Sequence, residues 1–335
     1  MVPLGITALQ IPIASFFMAD STINPGIALA QARADSTPQI RIRRLVWKLA
    51  IATLALMAVG SATRVMNAGL ACPDWPLCYG QLVPSQQMNL QVFLEWFHRL
   101  DAALIGLLSL LLAGLSIGYR RVLPLWLPWA AIGTVMLIGV QGLLGGLTVT
   151  EMLRFDIVTA HLGTALLFFC TLLTIGWSLT PYKATGTVGR LPWVSLTAAI
   201  LVYLQSLLGG LVASRWAGHQ CFGLSELCGV MNSHIFGVVP PTVVTLALVV
   251  MAWRTPALSK PLRRFSQLAG VLLLAQIALG IATFRLHLQV EVLTVSHQAV
   301  GAMLLGSLVS FTVVALRDRS QARRWSVTPT PATVV

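Results

Sequence analysis

Six histidines and one acid carry most of the chemistry that can be read directly from this chain. The histidines are His98, His161, His219, His234, His287 and His297. Four of them, His98, His161, His234 and His297, fall inside long apolar runs, where an ionisable side chain is costly and marks a candidate functional site. Each lies within about two turns of the same end of its run, roughly 5–10 Å inside it at the rise of an α-helix. One such histidine is readily a structural hydrogen-bonder; four at one depth point to ligands. Neutral imidazole donates a nitrogen lone pair to iron, zinc or copper. A closed zinc site wants four converging ligands, and no carboxylate or thiolate joins both pairs of histidines. A haem needs one or two imidazoles and a wide apolar slot. Ala102, Ala165, Gly237 and Gly301 follow the four histidines by three or four residues and share their helix faces. They would open such a slot, or simply let helices approach closely. His219 and His287 fall in loops or at span edges, where histidine is mostly solvated.

Glu95 stands in Glu-Trp-Phe-His98-Arg99. Offsets of three and four residues put Glu95, His98 and Arg99 on one helix face. A carboxylate beside a haem ligand can donate or accept a proton; the plainer reading is an intrahelical pair with Arg99. The corresponding position before His234 is Met231. If one half of the chain does chemistry and the other carries electrons, the half with the acid is the candidate for chemistry. Four of the five cysteines form two close pairs, Cys72 with Cys78 and Cys221 with Cys228, in loops at the histidine end. An oxidising compartment would allow both pairs to close as disulfides, structural or redox-active. Cys170 is alone within a span and reads as a small apolar residue.

The elements that hold these groups follow from composition. Of the 335 residues, 56% are hydrophobic and only 10% charged, with mean hydropathy +0.82. A soluble domain carries about 25% charge, so lipid must cover most of this surface. Apolar spans are predicted at 45–68, 91–118, 122–147, 156–179, 192–213, 232–253, 262–284 and 293–316, each near the length a membrane-crossing helix needs. The net charge of +12 is a topology signal rather than a nucleic-acid footprint. All the Lys and Arg except Arg64, Arg99, Arg154, Arg215 and Arg285 fall at the end of the spans away from the histidines. By the positive-inside rule both termini are cytoplasmic. Residues 1–44 and 318–335 read as tails. The apolar stretch Val2–Met18 lacks the charged leader and cleavage site of a signal peptide.

The chain is also internally repetitive. Gln141-Gly-Leu-Leu-Gly-Gly-Leu-Thr-Val precedes His161, and Gln276-Ile-Ala-Leu-Gly-Ile-Ala-Thr-Phe precedes His297. Spans one and five are each followed by a two-cysteine loop, and spans two and six each carry a histidine near the same end. The expected architecture is all-α, eight transmembrane helices in two pseudo-symmetric four-helix bundles, 45–180 and 190–317, related by an axis along the membrane normal.

Glu95-Trp-Phe-His98-Arg99, the loop Gly69–Gly80 with its Cys-Pro-Asp-Trp-Pro-Leu-Cys, Thr-Ala-His161-Leu-Gly and Ser-His297-Gln-Ala-Val-Gly resemble the haem A synthase family over residues 45–317. The resemblance implies an oxidoreductase of the bacterial plasma membrane that converts the C8 methyl of haem O to a formyl group by successive hydroxylations, supplying haem A to terminal oxidases. It implies haem b (iron) at His234 and His297, substrate haem O at His98 and His161, Glu95 as the catalytic carboxylate, and Cys72, Cys78, Cys221 and Cys228 as the family's outer cysteines. The implied partners are haem O, the haem O synthase that makes it, an electron donor and membrane lipid. No nucleic acid is expected, and the sequence is silent on oligomeric state. Two alternatives use the same histidines: a di-haem electron carrier of cytochrome b type, which needs no Glu95, and a haem transporter, which would show broken helices.

Overall fold

The computed structural model describes residues 37–215, 226–286 and 289–327. The expectations for the N-terminal stretch, for His219, Cys221 and His287, and for the last residues fall outside that set. Among the described residues there are nine α-helices and no strand beyond a single bridge between Cys78 and Gln81. In chain order they are α1 Thr37–Val65, α2 Leu90–Gly118, α3 Leu127–Thr150, α4 Phe155–Leu179, α5 Leu191–Arg215, α6 Glu226–Gly237, α7 Val239–Arg254, α8 Lys260–Arg285 and α9 Glu291–Val327. They make eight spans long and apolar enough to cross a membrane, because α6 and α7 are two pieces of one crossing. The break falls before Pro240 and Pro241. Neither can donate the backbone hydrogen bond that would carry the helix across the junction.

Two helix ends differ from the predicted spans for a physical reason. α1 begins at Thr37, not at 45, because Ile42, Val46 and Leu49 form one fully buried stripe at helical spacing. The charged residues between them occupy the other face. α9 continues past 317 to Val327, since Val314, Ala315 and Asp318 are buried. A reading of apolar runs finds the hydrocarbon-crossing part of a helix and misses turns that stay helical beyond it.

The first four helices pack as a closed ring, α1 on α2, α2 on α3, α3 on α4 and α4 on α1. The remaining helices pack in the same order, α5 on α6 and α7, α7 on α8, α8 on α9 and α9 on α5. The two groups meet where α9 packs on α1 and α4, and where α4 packs on α5. α9 is therefore the central helix, with 67% of its apolar window buried against 17–39% for the other seven spans. Gly306 on α9 matters here: a Cβ would come within 3.0 Å of Phe169 and 3.2 Å of Leu173 on α4. Small residues that let backbones approach are the usual means of joining membrane helices. The outward faces carry large apolar side chains such as Leu107, Leu143, Val271 and Leu274, as a surface solvated by lipid requires.

The segment between the two groups is fastened to α9. Asp318 is fully buried and accepts hydrogen bonds from Tyr182 Oη (2.7 Å), Thr185 N (2.8 Å), Thr185 Oγ1 (3.1 Å) and Gly186 N (2.8 Å). Arg317 donates to the Trp177 and Thr180 carbonyls at the end of α4. Burial pushes the Tyr182 hydroxyl up to about 12.

Candidate functional site

Each of the four span histidines enters from the start of a helix. His98 lies eight residues after Leu90, the first residue of α2, and His234 eight after Glu226, the first of α6. His161 lies six residues after Phe155 and His297 six after Glu291, the first residues of α4 and α9. The same two offsets thus recur in each half, and place the rings about 9–12 Å down their helices. Asn89 fixes the start of α2, its side chain accepting from Val92 N at 3.0 Å.

Every one of these rings rests against a glycine of the preceding odd-numbered span. A Cβ at Gly60 on α1 would lie 2.8 Å from His98 Cε1, at Gly145 on α3 3.3 Å from His161 Cε1, at Gly209 on α5 3.0 Å from His234 Cε1, and at Gly280 on α8 3.0 Å from His297 Cε1. All four histidines are half-buried, and the buried Nδ1 atoms of His98, His161 and His297 have no hydrogen-bond partner. Unsatisfied ring nitrogens at this depth are expensive and are what a metal–ligand bond would satisfy.

In the second half the two rings face each other. The centroids of His234 and His297 are 6.4 Å apart with their planes at 86°. The midpoint is 3.2 Å from each centroid, the reach of a metal–imidazole bond of roughly 2.0–2.1 Å plus the radius of the ring. At this spacing both rings could hold one metal-centred group between them. In the first half His98 and His161 are electrostatic neighbours. Among the described residues no three His, Cys, Asp or Glu side chains converge on one point.

Three of the histidines are also held by glutamine. Gln141 Nε2 lies 3.2 Å from His161 Nε2, Gln205 Nε2 3.0 Å from His234 Nδ1, and Gln276 Nε2 3.3 Å from His297 Nε2. Gln205 also donates to the His234 carbonyl at 2.6 Å. These side chains correct the expected use of two small residues. A Cβ at Gly237 would meet Gln205 Oε1 at 2.7 Å, and one at Gly301 would meet Gln276 Nε2 at 3.1 Å. The space over both glycines is taken by glutamine.

Glu95 is buried at 4% exposure. Its Oε1 accepts from Arg99 at 2.5 Å and its Oε2 from the Cys72 backbone N–H at 2.8 Å. Arg99 also donates to the carbonyls of Asp74 (2.6 Å), Leu77 (2.5 Å) and Cys72 (3.3 Å). The intrahelical pair therefore exists, and it anchors the first loop to α2. Cys72 and Cys78 form a disulfide within that loop. Cys228 is disulfide-bonded as well, and Cys170 is a free thiol. Asp74 accepts from the Tyr79 and Gly80 backbone N–H groups. The Gly80 bond foremost holds its carboxyl below the usual carboxylate range. Trp75 lies on α3, where a Cβ at Gly146 would come within 3.3 Å of its ring. The loop thus covers the glycine next to the one that seats His161. In the second half Met231, buried and apolar, replaces Glu95.

The glycine seats and Gln205 were not picked out from the sequence. The signal that finds them is a four-residue spacing repeated along the odd spans: Gln141 to Gly145, Gln205 to Gly209, Gln276 to Gly280, and Leu56 to Gly60.

Comparison with known proteins gives one family and a set of relatives. The model of the COX15-CtaA family, cytochrome oxidase assembly protein, matches residues 43–309. A protein named Heme A synthase from Shewanella oneidensis is 29% identical, over 84% of this chain and 99% of its own length. Proteins of the same name from Methylobacterium sp. (28% identical, 88% of this chain and 97% of its own) and Shouchella clausii (23%, 84% and 99%) are also similar.

Proposed function

Because the chain belongs to the cytochrome oxidase assembly protein family, we propose that it works as a haem A synthase, an oxidoreductase that converts haem O to haem A. The name carried by its full-length relatives supports this reading. The observation that supports it is the fourfold arrangement of a histidine on a glycine seat at repeated depths, with, among the described residues, a buried acid beside only one of them.

In this reading His234 and His297 hold a resident haem b, and His98 and His161 hold the substrate haem O. A haem b bound there would supply one-electron transfer. The chain's own contribution at the other site is positional and acid–base. Gly60 and Gly145 seat the two rings, and the loop of Cys72–Cys78 lies over that seat. Two hydroxylations of the C8 methyl, each passing two electrons to an external oxidant, would give a gem-diol, which becomes the formyl group by losing water. That step needs a proton taken from one hydroxyl and a proton given to the other. Glu95 is the buried carboxylate at this end of the molecule among the described residues. A carboxylate has about four lone-pair sites, so the bonds from Arg99 and Cys72 leave it able to accept a substrate proton. The alternative di-haem electron carrier gives Glu95 no reacting partner.

The protein is a multi-pass membrane protein, and the cation distribution supports placing both termini in the cytoplasm of a bacterial plasma membrane. The resident-haem assignment is tested with His234→Ala and His297→Ala in detergent-purified protein. Each is expected to lose the low-spin haem b absorption while remaining membrane-inserted. An unchanged low-spin spectrum in both variants would remove His234 and His297 from the assignment.

A further inference from the structure

The end of the molecule away from the histidines holds a cleft that the haem chemistry does not use. It has a volume of about 860 Å³ and lies between the linker that follows α4, the first two turns of α5 and the end of α9. The linker contributes Arg190, α5 contributes Trp193 and Val194, and α9 contributes Arg319. Its rim is held in place. Asp318 accepts from the Thr185 and Gly186 backbone N–H groups, and a Cβ at Gly186 would lie 3.4 Å from Ala322 Cβ on α9. Gly186 and Gly189 both take left-handed backbone conformations, with φ of 72° and 48°, which glycine adopts without steric cost. The linker therefore turns twice before Arg190 and frames the cleft instead of filling it.

Other arginines at this end are spent on helix-end carbonyls. Arg43 donates to Leu179, Arg263 to Thr255 and Pro256, and Arg317 to Trp177 and Thr180. Arg190 and Arg319 make no side-chain hydrogen bond and no ion pair among the described residues. Asp318, beside Arg319 in sequence, gives both its oxygens to the linker and its tyrosine. The Arg319 guanidinium instead lies over Trp193, with Cζ 5.9 Å from the ring centroid. Topology alone explains cations at this end. It does not explain two uncommitted guanidinium groups and a half-exposed tryptophan sharing one cleft between two helices. The level of the cleft is also defined: Arg190 immediately precedes the span Leu191–Ala213, and Arg319 lies in the last turn of the span Glu291–Ala322. That is the edge of the hydrocarbon, where lipid headgroups lie.

We propose that this cleft binds the phosphodiester headgroup of an anionic phospholipid, with Arg190 and Arg319 on the phosphate and Trp193 and Val194 against the first carbons of its chains. Two guanidinium groups with no acid between them call for an anion, and their planar forks match phosphate oxygens. Basic pockets between membrane helices at this level are a recurrent way of holding such lipids. The apolar side chains at the hydrocarbon edge favour a lipid over free phosphate, which has no use for them. A lipid seated here ties the start of α5 to the end of α9, beside the tie that Asp318 makes. The inference needs only the membrane-spanning fold and stands apart from the haem A synthase reading.

The test uses full-length protein, purified in detergent, stripped of lipid and titrated with dioleoyl phosphatidylglycerol, with bound lipid counted by native mass spectrometry. Wild type is expected to hold one phosphatidylglycerol more tightly than it holds phosphatidylcholine. Arg190→Gln combined with Arg319→Gln should weaken that binding about 30-fold, or about fivefold for each cation lost. Arg120→Gln combined with Arg121→Gln, exposed at the same end but outside the cleft, should leave it unchanged. Millimolar inorganic phosphate should not displace the lipid. If the double variant does not fold, Arg190→Gln alone, at an exposed linker position, decides by its own fivefold loss, about the value of one cation. Wild-type affinity in the cleft variants, an equal loss in the Arg120 and Arg121 variant, or phosphatidylcholine bound as tightly as phosphatidylglycerol overturns the proposal. So does full displacement by phosphate, which would make the cleft a free-phosphate site.

Discussion

In the proposed mechanism Glu95 is the residue on which most of the chemistry turns, and its surroundings make a clean variant available. Arg99 holds the loop through three backbone carbonyls besides its bond to Glu95, and a glutamine at 95 can still accept from Cys72 N. Glu95→Gln should therefore keep the loop and the proposed haem b while removing the proposed base. Haem A formation should fall by about 10²–10⁴-fold, the range of general acid–base contributions, with haem O accumulating. If Glu95 serves only as an anchor, haem quantification will show near-normal haem A. Asp74 gives a second residue-scale expectation. Its carboxyl is held low in the folded loop, chiefly by the Gly80 N–H, so its bonds are present above the ordinary carboxylate range and are lost only as pH falls through its depressed folded value. Hydrogen exchange at the Tyr79 and Gly80 amides should stay slow at mildly acidic pH and quicken only below that range. In Asp74→Asn, which keeps one acceptor oxygen and gains a donor in place of the other, one of the two amides should exchange fast at neutral pH.

At the scale of elements, the histidines depend on how closely one helix passes another. Gly280→Ala would favour α8 as a helix by about 0.5–1 kcal/mol, yet its Cβ would lie 3.0 Å from His297 Cε1. We expect the haem b content of purified Gly280→Ala to drop while the protein remains folded. Gly133→Ala, with nothing within 4 Å, should leave haem content unchanged. The existence of all eight spans was legible from hydropathy, because twenty apolar residues in water-free surroundings have few other options. Their ends were not. Ile42 on α1 and Asp318 on α9 are buried by tertiary contacts that no apolar run announces. The break at Pro240-Pro241 has a local cause, since proline acts through its own ring and missing N–H.

At the scale of the molecule, the two halves are joined by α9 and by the linker that Asp318 caps. Asp318→Ala would strand the Thr185 and Gly186 N–H groups, while the Tyr182 hydroxyl would keep Ser259 Oγ. It should destabilise the protein by about 1–3 kcal/mol, the cost of an unsatisfied buried group, seen as a lower thermal midpoint in detergent. The four histidines and Glu95 were legible because charge and imidazole are conspicuous against an apolar background. Their seats were not, because glycine is common in membrane helices and only the fold shows which glycines face a ring. Gln205 escaped notice although it keeps the same spacing to Gly209 as Gln141 keeps to Gly145; no histidine follows it at the interval seen for the other two. The central claim is that this chain oxidises haem O. The direct measurement is chromatography of haems extracted from membranes of a host that makes haem O but no haem A, with and without the full-length protein. The account predicts haem A only when the protein is present. Haem O left unconverted by a protein that retains its low-spin haem b would contradict it, and would favour the electron carrier.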